Sequence, residues 1–251
     1  MICPVCKTNN AEQTKFCHEC GTALKKEYEN YQKAIHAATI LENEGEIEES
    51  IQEFLKADKI KRTPEICLHI GNLFYRLGKL DEAVESYNLC LAEKPNQTGA
   101  HYGLGLALYR KAQISEAIQQ FKRTILIDPD FLTGYFYLGV CYYHHGQLKE
   151  ACDMLETLTE KSPEFTIAYY HLGESYAQLG NIDKTIINFE KVIERNNMDA
   201  PAFFQLGLAY YKKGEIDKSI NNFKKVLELD PEHERARLNL KALEEVRTQF
   251  Y

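Results

Sequence analysis

Hydrophobic and polar positions repeat along this chain with a period of 34 residues. An aliphatic residue followed by glycine recurs at Gly71, Gly105, Gly139, Gly173 and Gly207. Two amphipathic stretches fill each period, and most periods have a glycine between them, at Gly78, Gly146, Gly180 and Gly214. The second stretch is followed in most periods by a proline, at Pro95, Pro129, Pro163 and Pro231. Because glycine often ends a helix and proline cannot continue one, the pattern predicts a helix, a turn, a second helix and another turn in every period.

Residue size at fixed positions predicts how these helices pack. The second stretch carries a small residue at Ala83, Ala117, Ala151, Thr185 and Ser219, and a large one at Tyr87, Phe121, Leu155, Phe189 and Phe223. We predict that the small residues face the recurring glycines and let the two helices approach, while the large residues fill the space between hairpins. One hairpin cannot bury its apolar face alone, so neighbouring hairpins must stack.

This arrangement resembles the tetratricopeptide repeat, because the aliphatic-glycine pair, the aromatic positions, the turn glycine, the small residue and the proline recur in register. Residues 64–233 contain five regular units, residues 31–63 a degenerate unit with Ala38 in the glycine place, and residues 234–251 a capping helix. The resemblance implies an all-α, right-handed superhelical solenoid of about six hairpins. Ala112 replaces one turn glycine, so we expect a positive φ there.

Two cysteine pairs lie in the first twenty-four residues: Cys3 with Cys6, and Cys17 with Cys20. Each CxxC turn aims two sulfurs at one point, so the spacing predicts a tetrahedral metal site with no position open for catalysis. Residues 1–24 resemble a short zinc ribbon, which implies structural Zn²⁺, although Lys7 stands where that family often has glycine. An iron site of the rubredoxin kind and a redox pair remain alternatives. We interpret residues 25–30 as a linker.

Composition restricts the classes of partner. The 251-residue chain has a formal net charge of -7, which gives no general electrostatic reason to bind nucleic acid or an anionic membrane. No window reaches the roughly 18 apolar residues that cross a bilayer, and no signal peptide precedes Cys3, so we expect a cytoplasmic protein. The other four cysteines are scattered over the repeats and are interpreted as small hydrophobes.

The resemblance also implies that the first helix of each hairpin lines a concave groove. The predicted groove residues are Leu68, Asn72, Tyr75, Arg76, Tyr102, Tyr109, Arg110, Phe136, Tyr143, Tyr170, Glu174, Phe204, Tyr211 and Lys212. An aromatic floor with a mostly basic edge suits an extended or helical peptide segment. The family's Lys and Asn clamp on a carboxyl terminus is not supported, because only Asn72 matches it.

Catalytic chemistry finds little support in the sequence. His171 and Glu174 lie three residues apart on a predicted helix, but no third ligand or nucleophile with a paired base accompanies them. We therefore predict a non-enzymatic scaffold that binds a protein or peptide segment. The alternative is a nucleic-acid-associated adaptor, in which the ribbon contacts RNA or DNA and the repeats recruit protein. Self-association of the solenoid also stays open.

Overall fold

A computed structural model of the chain describes residues 2–3, 5–11, 14, 16–21 and 26–250, and within the helices it describes the side chains of residues 28–245. Residue 25 of the predicted linker and the terminal Tyr251 lie outside this part of the chain. The helices are α1 (Lys26–Glu44), α2 (Ile47–Ile60), α3 (Pro64–Arg76), α4 (Leu80–Glu93), α5 (Thr98–Arg110), α6 (Ile114–Ile127), α7 (Leu132–His144), α8 (Leu148–Lys161), α9 (Thr166–Gln178), α10 (Ile182–Arg195), α11 (Ala200–Lys213), α12 (Ile216–Leu229) and α13 (Glu234–Phe250).

The predicted all-α class is confirmed, since the described residues form helices together with isolated β-bridge residues such as Ile2 and Asn9. Helices pair into hairpins from α1–α2 to α11–α12, and α13 packs on α12. The chain divides into two compact units, residues 1–127 with α1 to α6 and residues 128–251 with α7 to α13. Because α1 begins at Lys26, residues 26–30 are its first turns, which corrects the predicted linker. No described helix has the length and apolar character needed to cross a bilayer.

The turns inside the hairpins share one backbone geometry. At the end of α3, Gly78 has a φ of 75°, its N–H donates to the carbonyl of Tyr75, and the next N–H donates to the carbonyl of Phe74 at 2.9 Å. This pair of bonds satisfies the last carbonyls of a helix as in a Schellman motif. Ala112 adopts the same turn with a φ of 58°, and the N–H of Gln113 donates to the carbonyl of Leu108 at 2.9 Å. The expected positive φ at Ala112 is therefore confirmed.

The recurring first-helix glycines accommodate large side chains of the second helix. A Cβ atom on Gly173 would lie 2.7 Å from the ring of Phe189, and one on Gly207 would lie 2.7 Å from the ring of Phe223. The large residues therefore pack against the glycine backbone of their own hairpin in addition to filling the space between hairpins, where Tyr87 lies against Gly103 of the next hairpin. The small residues meet the glycine backbone, since the Ser219 hydroxyl donates to the carbonyl of Gly207 at 2.7 Å. Both devices bring the two helices close together.

Neighbouring hairpins of the second unit are linked by buried phenols. The Tyr176 hydroxyl of α9 donates to the carboxylate of Glu156 in α8, and the Lys184 ammonium donates to that phenol at 2.7 Å. The Tyr210 hydroxyl of α11 makes the corresponding bond to Glu190 in α10 at 2.5 Å. Burial and the bond to Glu156 raise the pKa of Tyr176 to about 12, so it remains a donor at neutral pH. Each phenol thus fills the space between hairpins without leaving a polar atom unsatisfied.

The substitution Ala112→Gly tests the geometry of the one hairpin turn that ends in alanine. We expect it to stabilise the protein by about 0.5–1 kcal/mol, because glycine adopts a positive φ without the steric cost that alanine pays. Thermal unfolding followed by circular dichroism measures the effect. The matched control is Ala92→Gly, at an exposed helical position of α4, which should lower stability. Stabilisation by both changes, or by neither, would contradict the assignment.

Candidate functional site

The sulfurs of Cys3, Cys6, Cys17 and Cys20 converge, and all four lie within 4.8 Å of one another. Cys3 Sγ is 3.5 Å from Cys20 Sγ, and Cys6 Sγ is 3.3 Å from Cys17 Sγ. A tetrahedral Zn²⁺ with Zn–S bonds of about 2.3 Å requires sulfur separations of about 3.8 Å. The cluster is therefore close enough to bind one metal ion, and the donor set of four thiols fits zinc or iron.

The two CxxC turns have matching backbone geometry. Lys7 follows the first pair with a φ of 63°, and Gly21 follows the second with a φ of 69°. The Lys7 N–H donates to the carbonyl of Cys3 at 3.1 Å, and the Gly21 N–H donates to the carbonyl of Cys17 at 2.9 Å. Lys7 thus adopts the left-handed conformation that glycine has in the second turn, and the first turn closes as tightly despite the substitution.

Asn10 supports the cluster from outside the CxxC motifs and was not among the predicted site residues. This side chain is only 4% exposed, and its Nδ2 atom donates to Cys17 Sγ at 3.5 Å and to the carbonyl of Thr8 at 2.9 Å. Its Oδ1 atom accepts from the His18 backbone N–H at 2.9 Å. Asn10 therefore holds both turns in place. Its position in the sequence carries no motif that would have indicated this role.

Hydrogen bonds favour a thiolate at Cys17. Burial raises the pKa of this thiol, but the backbone N–H groups of Cys20 and Glu19 donate to its sulfur and lower the pKa to about 6. At Cys6 the bonds with Thr8 lower the pKa, while the bond with Cys17 raises it, and the result is a pKa of about 11. Since thiolates are the ligand form of cysteine, backbone donors directed at a sulfur favour metal binding.

The cysteine segment packs on the first helix of the repeats. The ring of Phe16 meets the ring of Tyr28 edge to face, with centroids 3.9 Å apart. Tyr28 in turn lies 5.2 Å from Tyr31, which is 7% exposed and belongs to the core of α1, α2 and α3. A short chain of aromatic rings thus connects the cysteine segment to the core of the first hairpins.

The first row of predicted groove residues packs against the second helix of the same hairpin. Leu68, Tyr102, Phe136 and Tyr170 are half-buried, and Phe204 is buried with 6% of its surface exposed. Tyr170 lies 5.4 Å from Phe189 and Phe204 lies 5.7 Å from Phe223, measured between ring centroids. Phe204 is therefore not part of an exposed floor, which corrects the prediction at this position. The second helix supplies the rings that cover this row.

Polar groove residues also have partners within the chain. The buried Tyr87 hydroxyl donates to Asn72 Oδ1 at 2.9 Å, so the one residue that matched the family's carboxylate clamp satisfies a phenol. The carboxylate of Glu174 lies 3.3 Å from Nδ1 of His171. Arg76 of α3 donates to Glu42 of α1 at 3.4 Å, a contact between neighbouring hairpins. These contacts reduce the number of charged and amide groups that a partner can engage.

Along the last row of the first helices, side chains of one hairpin contact the tyrosine of the hairpin before. The Arg110 guanidinium lies 5.0 Å from the centre of the Tyr75 ring and donates to its carbonyl at 3.2 Å. Gln178 Nε2 donates to the Tyr143 hydroxyl at 2.6 Å, while Tyr109 is half-buried. Tyr211 is different, because 55% of its surface is exposed.

The neighbouring Lys212 is also exposed, and it has no ion pair with any side chain in the described part of the chain. Tyr211 and Lys212 are therefore two adjacent predicted groove residues that are both exposed. The structure brings them together at the end of α11.

Four models of the tetratricopeptide repeat family match the chain. The matched segments are residues 71–112, 102–155, 167–197 and 200–233, and together they span more than half of the sequence. The chain therefore belongs to the tetratricopeptide repeat family. No family model of a zinc domain matches the cysteine segment. No curated protein matches the chain.

Solved structures of repeat proteins share this fold. YrrB, described as a TPR protein with an unusual peptide-binding site, is 24% identical, with 75% of this chain and 97% of YrrB covered and a TM-score of 0.69. A structure of MamA is 28% identical, with 68% of this chain and 94% of MamA covered and a TM-score of 0.65. A tetratricopeptide repeat protein from Parabacteroides merdae ATCC 43184 is 20% identical, with 85% and 84% covered and a TM-score of 0.56.

The substitution Asn10→Ala tests the support that this side chain gives to the cysteine cluster. We expect it to weaken Zn²⁺ binding about 10- to 100-fold, because outer-shell partners fix the orientation of metal ligands. Competition with a chromophoric chelator measures the affinity, and Thr14→Ala, at a residue of the same segment that donates to the carbonyl of Ala11, is the control. Equal affinities of the two variants would show that Asn10 plays no part in metal binding.

Proposed function

We propose that this chain is a non-enzymatic scaffold that binds a peptide segment of a partner protein along the first helices of its hairpins. Repeat arrays of this family present extended surfaces because each hairpin buries only the faces that meet its neighbours. The observation that carries the proposal is the exposure of Tyr211 beside Lys212 on α11. A rigid ring and an adjacent cation are typical of residues that contribute strongly to binding.

The choice of the first helices depends on what hairpin stacking leaves uncovered. Tyr75 and Tyr143 are contacted by Arg110 and Gln178 of the following hairpin, whereas Tyr211 keeps more than half of its surface exposed. A large exposed ring costs free energy in water unless a partner covers it. Acidic groups of a peptide would pair with the cation next to it. These features support a partner segment that combines apolar and acidic side chains.

We infer that the four-cysteine cluster binds structural Zn²⁺ and that the ribbon covers the exposed end of the first hairpin. Terminal hairpins of a repeat array need a cap because one face has no neighbour. The contact of Phe16 with Tyr28 supports this role, since it joins the cysteine segment to the core around Tyr31. Zn²⁺ bound by four thiolates closes the site to substrate. Such a site suits a reducing compartment such as the cytoplasm, where thiols persist.

Affinity capture with the full chain tests the binding surface. We expect the double variant Tyr211→Ala with Lys212→Ala to lose partners that the unmodified chain retains, with a loss of about tenfold or more in affinity for each partner once it is purified. The matched control is Ile187→Ala, a large exposed apolar residue on the second helix α10. Partners lost with the control and retained by the double variant would place the binding surface on the second helices and contradict the proposal.

Metal removal tests the capping role of the ribbon. We expect a strong chelator to lower the melting temperature of the full chain by a few degrees, because an unfolded ribbon no longer covers Tyr28 and a change of 1 kcal/mol corresponds to about 2–4 °C in a chain of this size. In the variant Phe16→Ala, the cysteines still bind Zn²⁺ but the ring contact is gone. Its melting temperature should therefore be insensitive to the chelator. Equal sensitivity of both proteins would mean that the ribbon does not stabilise the repeats.

A further inference from the structure

Ala177 interrupts the row of tyrosines at the ends of the first helices, and a cavity lies beside it. The other members of this row are Tyr75, Tyr109, Tyr143 and Tyr211. The cavity has a volume of about 130 Å³ and lies between the turn that joins α9 to α10 and the facing side of α11. Its lining includes Ala177, Gly180, Ile182, Leu208, Ala209 and Lys212.

The first unit shows how the same place in a hairpin is filled when the tyrosine is present. There the ring of Tyr75 occupies the position of Ala177, and the Arg110 guanidinium lies 5.0 Å from the ring centre. Arg110 also extends over the turn, with its Nη2 atom 3.8 Å from the Cβ position of Gly78. Lys212 occupies the position in its repeat that Arg110 occupies in an earlier one. The residue equivalent to Tyr75 is Ala177, however, which has no aromatic ring. Ala177 therefore stands where the first unit has a tyrosine ring beside a cation, and a cavity lies next to it.

The size and lining of the cavity suit an aromatic ring. Leu208 and Ile182 are half-buried and Ala209 is 4% exposed, so the walls are mainly apolar. An apolar cavity of about 150 Å³ in another protein binds benzene, which shows that about 130 Å³ is on the scale of one ring. The hydroxyl of Thr185, another lining residue, is already bonded to the carbonyl of Asn181 at 2.8 Å. The amide of Gln205 is the other uncharged polar group of the lining.

Lys212 supplies the charge that selects a ring over an aliphatic side chain. Lys212 forms no ion pair with another described side chain and lines the cavity, as its counterpart Arg110 lies against the Tyr75 ring. A cation over the face of an aromatic ring is attracted by the negative charge of the π system, whereas an aliphatic group offers no such attraction. Beside Arg110 the ring is that of Tyr75 and belongs to the chain. Beside Lys212 a ring would have to come from another molecule.

We propose that this cavity binds an aromatic side chain of the partner polypeptide, with Lys212 against the face of the ring. The source of the ring depends on the proposed function, because the partner segment would run along the first helices past Tyr211. The cavity itself belongs to the chain and can be tested without a partner.

The probe for the test is p-cresol, the side-chain analogue of tyrosine, added to the full chain with labelled methyl groups. We expect saturable shifts of the Leu208 and Ala209 methyl resonances. Ala177→Tyr should weaken this binding at least tenfold, because the chain's own ring then fills the cavity as in the other hairpins. The converse variant Tyr75→Ala should create a second p-cresol site, reported by the equivalent Leu106 and Ala107. An unchanged melting temperature of Ala177→Tyr shows that the variant is folded.

Two comparisons establish the chemistry of the occupant. Lys212→Met should weaken p-cresol binding about two- to fivefold, as expected for loss of a cation–π contact at an exposed site. The aliphatic probe 3-methyl-1-butanol should bind more weakly than p-cresol. Equal or tighter binding of the aliphatic probe would overturn the choice of an aromatic ring. Undiminished p-cresol binding by Ala177→Tyr would overturn the site.

The outcome is distinguishable from failure of the proposed function. Binding of p-cresol at this cavity, together with unchanged capture of partners by the Tyr211 and Lys212 double variant, would contradict peptide binding by the first helices and leave the ring site intact. Loss of capture by that variant without any p-cresol binding would support the first helices and overturn the ring site.

Discussion

The packing of a large side chain against the backbone of a helical glycine is the constraint on which the hairpins depend. A Cβ atom on Gly173 of α9 would lie 2.7 Å from the ring of Phe189, and the same contact recurs at Gly207 with Phe223. Because a methyl group at this position would displace the ring, glycine fixes the distance between the two helices of a hairpin. Hairpins of constant thickness can then stack with one repeated geometry. The degenerate first hairpin, which has Ala38 in the glycine place, marks the end of the array.

Stacking also determines which side chains are left for binding. Arg110 covers Tyr75, Gln178 bonds Tyr143, and Asn72 accepts from the buried Tyr87, so residues that resemble a binding surface in sequence serve the contacts between helices. These packing contacts do not cover Tyr211 near the end of α11, and they leave a cavity beside Ala177. The surface proposed for a partner is therefore smaller than the row of first-helix aromatics. In a repeat protein, the residues at regular positions take part in packing between helices. Binding specificity therefore depends on positions that differ from the repeat pattern.

The cysteine segment differs from the repeats, because the local geometry of two turns is sufficient to bring its metal ligands together. Two CxxC turns with matching φ values at Lys7 and Gly21 bring four sulfurs within 4.8 Å. Metal coordination can stabilise such a segment because it replaces the hydrophobic core that the segment is too short to form. Its connection to the repeats is tertiary, through the contact of Phe16 with Tyr28. The same rings that continue the core of α1 thereby give the segment a fixed place on the first hairpin.

The helices, their turns and the candidate metal ligands were predictable from local patterns in the chain. Helical periodicity and turn chemistry are local properties, so the left-handed turn at Ala112 and the four converging cysteines were predictable from spacing. The start of α1 at Lys26 was not, because no glycine or proline marks it. The burial of Phe204, the support of the cysteine cluster by Asn10 and the cavity at Ala177 became known from tertiary contacts. Each of these features depends on side chains that are distant in sequence or belong to different elements. The repeat period predicts which helices pack together, but it does not predict which side-chain atoms form contacts or hydrogen bonds.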